Sequence, residues 1–269
     1  MLEFITNLKQ RYQMIQSGLA DESSQWNAFE VSIEQLTLVE SFLHKVQLIE
    51  QGNVPINIAV IGPTQSGKST VVNLLLNQDA AGVSPLAGYT VYPQGFAVDL
   101  QADDLTYIAQ HFSGFREVQQ FSLDVQDYAC YSLNHISSNS LSECVLWDTP
   151  DFDTIDAQSY REGVLKSLAL ADVLVLVVSK EKYADQLVWD ALTLIEPLNQ
   201  PVLVVINKLM ADSQTLVVDS FKERWQQVRQ DNMPDIIPVL FSKGQVPEDR
   251  QAELVNLVQR SMHKVKRNK

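Results

Sequence analysis

Eight residues constrain this chain more than any others: Gly62-Pro-Thr-Gln-Ser-Gly67-Lys68-Ser69. They follow the apolar run 56–61 and precede Thr70-Val-Val-Asn-Leu-Leu-Leu76. A G-x-x-x-x-G-K-[ST] pattern therefore sits between an expected strand and an expected helix, the context that gives it meaning. At average residue usage it arises by chance in roughly one chain of this length in a hundred, and here only 10 of 269 residues are glycine. Each residue type has a physical reason. Gly62 and Gly67 let the backbone wrap closely around an anion, with amides and a helix N-terminus pointing at it. Lys68 offers a point charge to β- and γ-phosphates, and the Ser69 hydroxyl can ligate Mg²⁺. Lys68 is expected at the domain surface. A nucleotide site follows.

Around this loop the pattern alternates. Apolar runs at 56–61, 95–100, 143–147, 173–178, 202–206 and 236–240 are separated by helical periodicity near 68–77, 157–170, 183–197, 213–230 and 249–265. Continuous runs such as Val-Leu-Val-Leu-Val-Val (173–178) read as strands covered on both faces. Strand–helix alternation predicts an α/β fold, a three-layer P-loop domain with a mostly parallel six-stranded sheet. Residues 1–53 carry no strand signal. Leu2, Ile5, Leu8, Tyr12, Ile15 and Leu19, then Trp26, Phe29, Ile33, Leu36, Leu43 and Val46, recur at helical spacing. They predict a helical hairpin ahead of a domain spanning 54–269. Its apolar stripe packs either on its own domain or on a protein partner. The polar stretch near 101–142 reads as an insertion, either a surface excursion or a partner-binding element.

With 20 Lys and Arg against 33 Asp and Glu, the net charge is −13, which argues against nucleic acid as a partner. The Met1-Leu-Glu-Phe start has no basic n-region, so no signal peptide is expected. The longest apolar stretch, 164–178, is interrupted by Lys166 and Asp172 and is too short to span a bilayer. Two cysteines, Cys130 and Cys144, make no disulfide framework, and a cytoplasmic location is the expectation. The basic end Lys264-Val-Lys-Arg-Asn-Lys269 suits a helix terminus or a membrane surface.

Three further motifs follow the loop: Ser84-Pro-Leu-Ala-Gly-Tyr-Thr90, Asp148-Thr-Pro-Asp151 and Asn207-Lys208-Leu-Met210. In order and spacing they resemble the translation-factor-related (TRAFAC) class of P-loop GTPases. The similarity is greatest to Era-like and dynamin-like members, whose motifs read S-P-x-x-G-T-T, D-T-P-G and N-K-x-D. It covers about residues 54–265. The resemblance implies GTP or GDP as ligand, Mg²⁺ as cofactor, and a slow GTPase that switches conformation. Gln65, Ser66, Gly67, Lys68, Ser69 and Thr70 would hold phosphates, with Gly62 opening the loop. Ser69, Thr90 and Asp148 would hold the metal, and Lys68 and Thr90 would act in catalysis. Asn207 and Lys208 would border the base, as would Ser242 of a degenerate fifth motif.

Three positions depart from that pattern. Asp151 replaces a glycine whose amide meets the γ-phosphate, Phe152 stands where Ras-like enzymes carry a water-orienting glutamine, and Met210 replaces the base-reading aspartate. Two residues beyond it, Asp212 either reads the base from a shifted loop or caps the next helix. A homodimer through the nucleotide face would fit the resemblance. The departures keep two alternatives open: a non-hydrolysing nucleotide-binding scaffold, and a P-loop ATPase or nucleotide kinase.

Overall fold

Strand β1 (Ile56–Ile61) is buried at every residue and is flanked by β5 (Cys144–Asp148) and β6 (Val173–Ser179), both parallel to it. Such a strand needs apolar side chains on both faces, as its sequence supplies. The computed structural model describes residues 1–19, 24–83, 90–119, 128–152, 157–229, 232–240 and 247–268. The other strands are β2 (Gln94–Val98), β3 (Arg116–Val118), β4 (Cys130–Ile136), β7 (Val202–Leu209) and β8 (Asp235–Leu240). They form one sheet in the order β3-β4-β2-β5-β1-β6-β7-β8. Every neighbouring pair is parallel except β2 with β5.

The sheet thus has eight strands rather than the six expected. The two extra strands, β3 and β4, come from the 101–142 insertion and extend the sheet beyond β2. Local sequence gives β4 little strand signal. Its sequence Cys-Tyr-Ser-Leu-Asn-His-Ile is poor in β-branched residues, and only its first half is fully buried. Helices α1 (Leu2–Gln16), α2 (Ser24–Gln51), α3 (Lys68–Leu76), α4 (Thr106–His111), α5 (Ala157–Leu170), α6 (Gln186–Ile195), α7 (Gln214–Val228) and α8 (Glu248–Asn268) complete the order.

Period-2 alternation divides the core between the two faces. Ala59, Ile61, Val145, Trp147, Leu174 and Leu176 pack with α2, α4, α5, α6 and α7. Ile58, Val60, Leu146, Val173 and Val175 pack with α3 and α8. Leu38 and Leu48 of α2 belong to the first core, and α2 lies against α5 and α4. The hairpin packs on the sheet-bearing body through α2, whereas α1 buries no residue and rests on α2. Lys266 and Arg267 of the basic C-terminal cluster lie in the last turn of α8, where Lys266 pairs with Glu143 at 3.3 Å. Among the described residues no helix is long and apolar enough to cross a membrane.

One buried residue gives the fold an acid-sensitive point. His111 is fully buried, stacks on His44 at 6.0 Å, and its Nε2 donates to the Lys166 carbonyl at 2.9 Å. Burial above all, with the charges of Lys166, His44 and Lys45, pushes its pKa down to about 3, against the bond to the Lys166 carbonyl. The unfolded chain takes up this proton near pH 6.5, whereas the folded one does not until about pH 3. The unfolded state therefore binds more protons in that window, so stability falls as pH drops through it. Linkage gives about 2 kcal/mol lost by pH 5 from this group. Denaturant unfolding of wild type and His111→Gln at pH 7.5 and 5.0 checks this; the variant is expected to lose at least 1 kcal/mol less.

Candidate functional site

The loop between β1 and α3 is held in a shape that its glycines permit. Gly67, the N-cap of α3, has φ +99°, and Gln65 adopts φ +58°. A Cβ on Gly62 would collide with the Val177 carbonyl oxygen, and one on Gly67 with the Asn207 side-chain amide. Both glycines are thus required by close approach of neighbouring strands. Among the described residues no side chain caps the N-terminus of α3, so its first amides face the loop.

Two residues at the end of β7 brace this loop. Asn207 Nδ2 donates to the Ser66 carbonyl at 3.0 Å, and Lys208 Nζ donates to the Gln65 carbonyl at 2.5 Å. Lys208, at φ +57°, also donates its backbone N–H to Asn207 Oδ1 at 2.8 Å. Asn207 stands in register with Ser179 of β6, so the sheet itself aims the amide at the loop.

Beside the loop lies an acidic hydroxyl pair. Ser69 Oγ donates to Asp148 Oδ2 at 2.7 Å, and Asp148 is paired in register with Val60 at the end of β1. Asp148 is fully buried, and burial pushes its carboxyl up to about 6, against the Ser69 bond and the Lys68 charge. Among the described residues its Oδ1 makes no hydrogen bond. A hydroxyl and one carboxylate with an open buried oxygen fit Mg²⁺, which takes few protein ligands and completes its shell with water and phosphate oxygens.

The expectation that Lys68 lies at the surface is overturned: it is 5% exposed. Its ammonium donates to the carbonyls of Gly62 (3.0 Å) and Pro63 (3.2 Å) and pairs with Asp151 Oδ1. A buried ammonium needs such partners, and the loop supplies them. Phe152 comes directly after Asp151. It is buried in the core, and its carbonyl accepts from Arg161 Nη1 at 3.3 Å. Arg161 in turn forks onto Glu34 of α2, at 2.8 and 3.2 Å.

Of the expected site residues, Gly62, Gln65, Ser66, Gly67, Lys68, Ser69, Asp148, Asn207 and Lys208 converge at the carboxyl ends of β1, β5 and β7. Crevices of α/β sheets bind ligands there. Thr70 is half-buried in the first turn of α3, and Thr90 is buried ahead of β2, whose Gln94 pairs in register with Asp148. Ser242 lies outside the described residues. Met210 is 57% exposed beyond β7. Asp212 does not cap α7, because the N-cap is Ser213. The Lys68–Asp151 pair and the Arg161–Glu34 clamp were missed. Their partners lie 83 and 127 positions apart, and nothing local in the sequence couples them.

A family model described as 50S ribosome-binding GTPase matches residues 57–208, from β1 through the Asn207-Lys208 pair. The chain belongs to this GTPase family. It is a P-loop GTPase of the translation-factor-related class, with a GTP-binding domain. Against GTPase Der of Sulfurimonas denitrificans it is 26% identical over 132 residues, which is 48% of this chain and 26% of that protein. The chain thus spans about a quarter of the length of Der. An Era variant from Aquifex aeolicus, solved with GDP and aluminium fluoride, matches with TM-score 0.47 and 19% identity over 80% of this chain and 57% of that one. A structure of an oligomerised bacterial dynamin pair matches with TM-score 0.49 and 17% identity over 97% of this chain and 42% of that one. These structural likenesses concern the fold.

Proposed function

We propose that this GTPase binds GTP and GDP with Mg²⁺ at loop 62–70, hydrolyses GTP slowly, and relays the nucleotide state to its N-terminal hairpin. The observation that carries the reading is the open Asp148 Oδ1, buried beside Ser69 at the uncapped N-terminus of α3. Here the loop amides and Lys68 bind phosphate, and Ser69 and Asp148 would hold the metal, whose chemistry is to neutralise developing phosphate charge. Gln65 lends its backbone to the cradle, Asn207 and Lys208 brace it, and Thr90 closes it from the β2 side.

Slow turnover follows from Phe152, whose side chain is packed in the core and cannot orient water. A second copy or another protein would have to complete the site. The expected turnover of the purified chain is below about 1 s⁻¹. Phosphate release measured across a range of protein concentrations checks this. A rate on the order of 10 s⁻¹ that does not vary with concentration contradicts it. The relay follows from Arg161, which joins the Phe152 carbonyl beside the loop to Glu34 on α2. Movement of residues 151–152 on nucleotide exchange reaches α2 through that fork.

Base selectivity is expected to be weak. Met210 cannot accept hydrogen bonds from a guanine edge with the strength of a carboxylate. Asp212 is exposed two residues on, one position before the α7 N-cap, within the same turn. Competition of ATP and GDP for a labelled guanine nucleotide is expected to show guanine ahead by less than about a hundredfold, since a lost charged acceptor costs about 1.5–3 kcal/mol per bond. Asp212→Ala should narrow the gap further. A preference of several orders of magnitude that Asp212→Ala leaves intact would contradict both statements.

A further inference from the structure

An ammonium carries three N–H donors, and Lys68 spends all three inside the protein. Two go to the Gly62 and Pro63 carbonyls, which belong to the loop itself. The third goes to Asp151, which lies on the separate segment after β5, and the two side chains are 5% and 11% exposed. Of the three partners only Asp151 carries charge, and only Asp151 can leave without unfolding the loop. An anion arriving at Lys68 therefore competes with a carboxylate rather than with water.

We propose that Asp151 is a built-in counter-anion for Lys68 that makes the site favour a nucleoside diphosphate over a triphosphate. The inference rests on reading loop 62–70 as the nucleotide site. The amides at the start of α3 are uncapped whether or not the ion pair stands, so a phosphate seated there does not need Asp151 to move. A further, terminal phosphate extends beyond that cradle to the side where the lysine and the metal work. There, among the described residues, it meets Lys68 and the two carboxylates Asp148 and Asp151. Each added phosphate charge is repelled by Asp151 until that side chain swings away and releases the ammonium. The Lys68–Asp151 pair is then the resting state, and a triphosphate has to open it.

Calorimetric titration of the full chain with GDP and with a non-hydrolysable GTP analogue, both with Mg²⁺, tests this on wild type, Asp151→Asn and Asp151→Gly. The first variant keeps the shape and removes the charge, and the second removes the side chain. Melting curves confirm that each is folded, and Asp151→Asn decides if the glycine variant is not. Wild type is expected to bind GDP at least tenfold more tightly than the analogue, and both variants to bring the two within about threefold, mainly by tighter analogue binding. A ratio unchanged in the folded variants, or a wild type that already prefers the analogue, overturns the proposal. If neither nucleotide binds wild type or either variant, the nucleotide reading fails and takes the proposal with it.

Discussion

Lys68→Ala is expected to weaken binding of a non-hydrolysable GTP analogue by at least a hundredfold. GDP binding should weaken by less, because a diphosphate need not take Lys68 from Asp151. The substitution removes the cation of the loop, and charge-assisted bonds to two phosphates are worth about 1.5–3 kcal/mol each. About 3–6 kcal/mol corresponds to two to four powers of ten in affinity. The same substitution removes the ion-pair partner of Asp151, which the structure buries beside it. Lost affinity and lost stability must therefore be separated. The double variant Lys68→Ala, Asp151→Asn removes both charges. It should melt close to wild type and still bind the GTP analogue at least a hundredfold more weakly. Retained affinity in a folded double variant would show that the loop holds no phosphate through Lys68.

The second large effect concerns the fold. Lys45→Met is expected to cost about 3–5 kcal/mol, the usual result of removing one partner from a buried ion pair. Lys45 of α2 reaches into the body of the protein, pairing with Asp172 at 2.8 Å and donating to the Ala171 carbonyl at 2.6 Å. Asp172 Oδ2 accepts the backbone N–H of Asn57 in β1 at 2.9 Å. Asn57 Oδ1 accepts from Tyr107 and Trp147, each at 3.0 Å. One network thus joins α2, α4, β1, β5 and the start of β6. Chemical denaturation reads the loss, and the melting temperature should fall by on the order of 10 °C. Adding Asp172→Asn keeps an acceptor for Asn57 while removing the orphaned charge, so it should recover more than half of the loss. A cost below about 1 kcal/mol would mean that α2 is not anchored by this pair.

These two lysines mark where the sequence is legible and where it is not. The Gly62–Ser69 loop, the strand before it and the helix after it follow from local pattern, because glycine spacing and apolar runs are local properties. All six expected strands form, and Asp148 and Asn207 stand at strand ends as their motifs imply. Strand β4 escaped because Cys130, Ser132, Asn134 and His135 have weak strand preference, and pairing with β2 rather than propensity makes them a strand. Asp151 was visible as a departure, but its partner was not. Whether a carboxylate turns away from a phosphate loop or grips its lysine is decided by the path of residues 149–152 after β5. There the Thr149 hydroxyl donates to the Val60 carbonyl at 2.9 Å. The burial of Lys45 was hidden for a similar reason. A lysine in a helix 28 residues long reads as solvated until its counter-charge, 127 positions away, is placed beside it.

Loop 62–70 is proposed to be a working guanine-nucleotide site. Equilibrium titration of the full chain with fluorescent GDP in Mg²⁺, followed by displacement with unlabelled nucleotides, tests it most directly. The expected result is one saturable site per chain, displaced by GDP and GTP, with the triphosphate displacing at least a hundredfold less well in the folded Lys68→Ala, Asp151→Asn variant. Absence of saturable binding, or triphosphate displacement that this variant leaves unchanged, would contradict it.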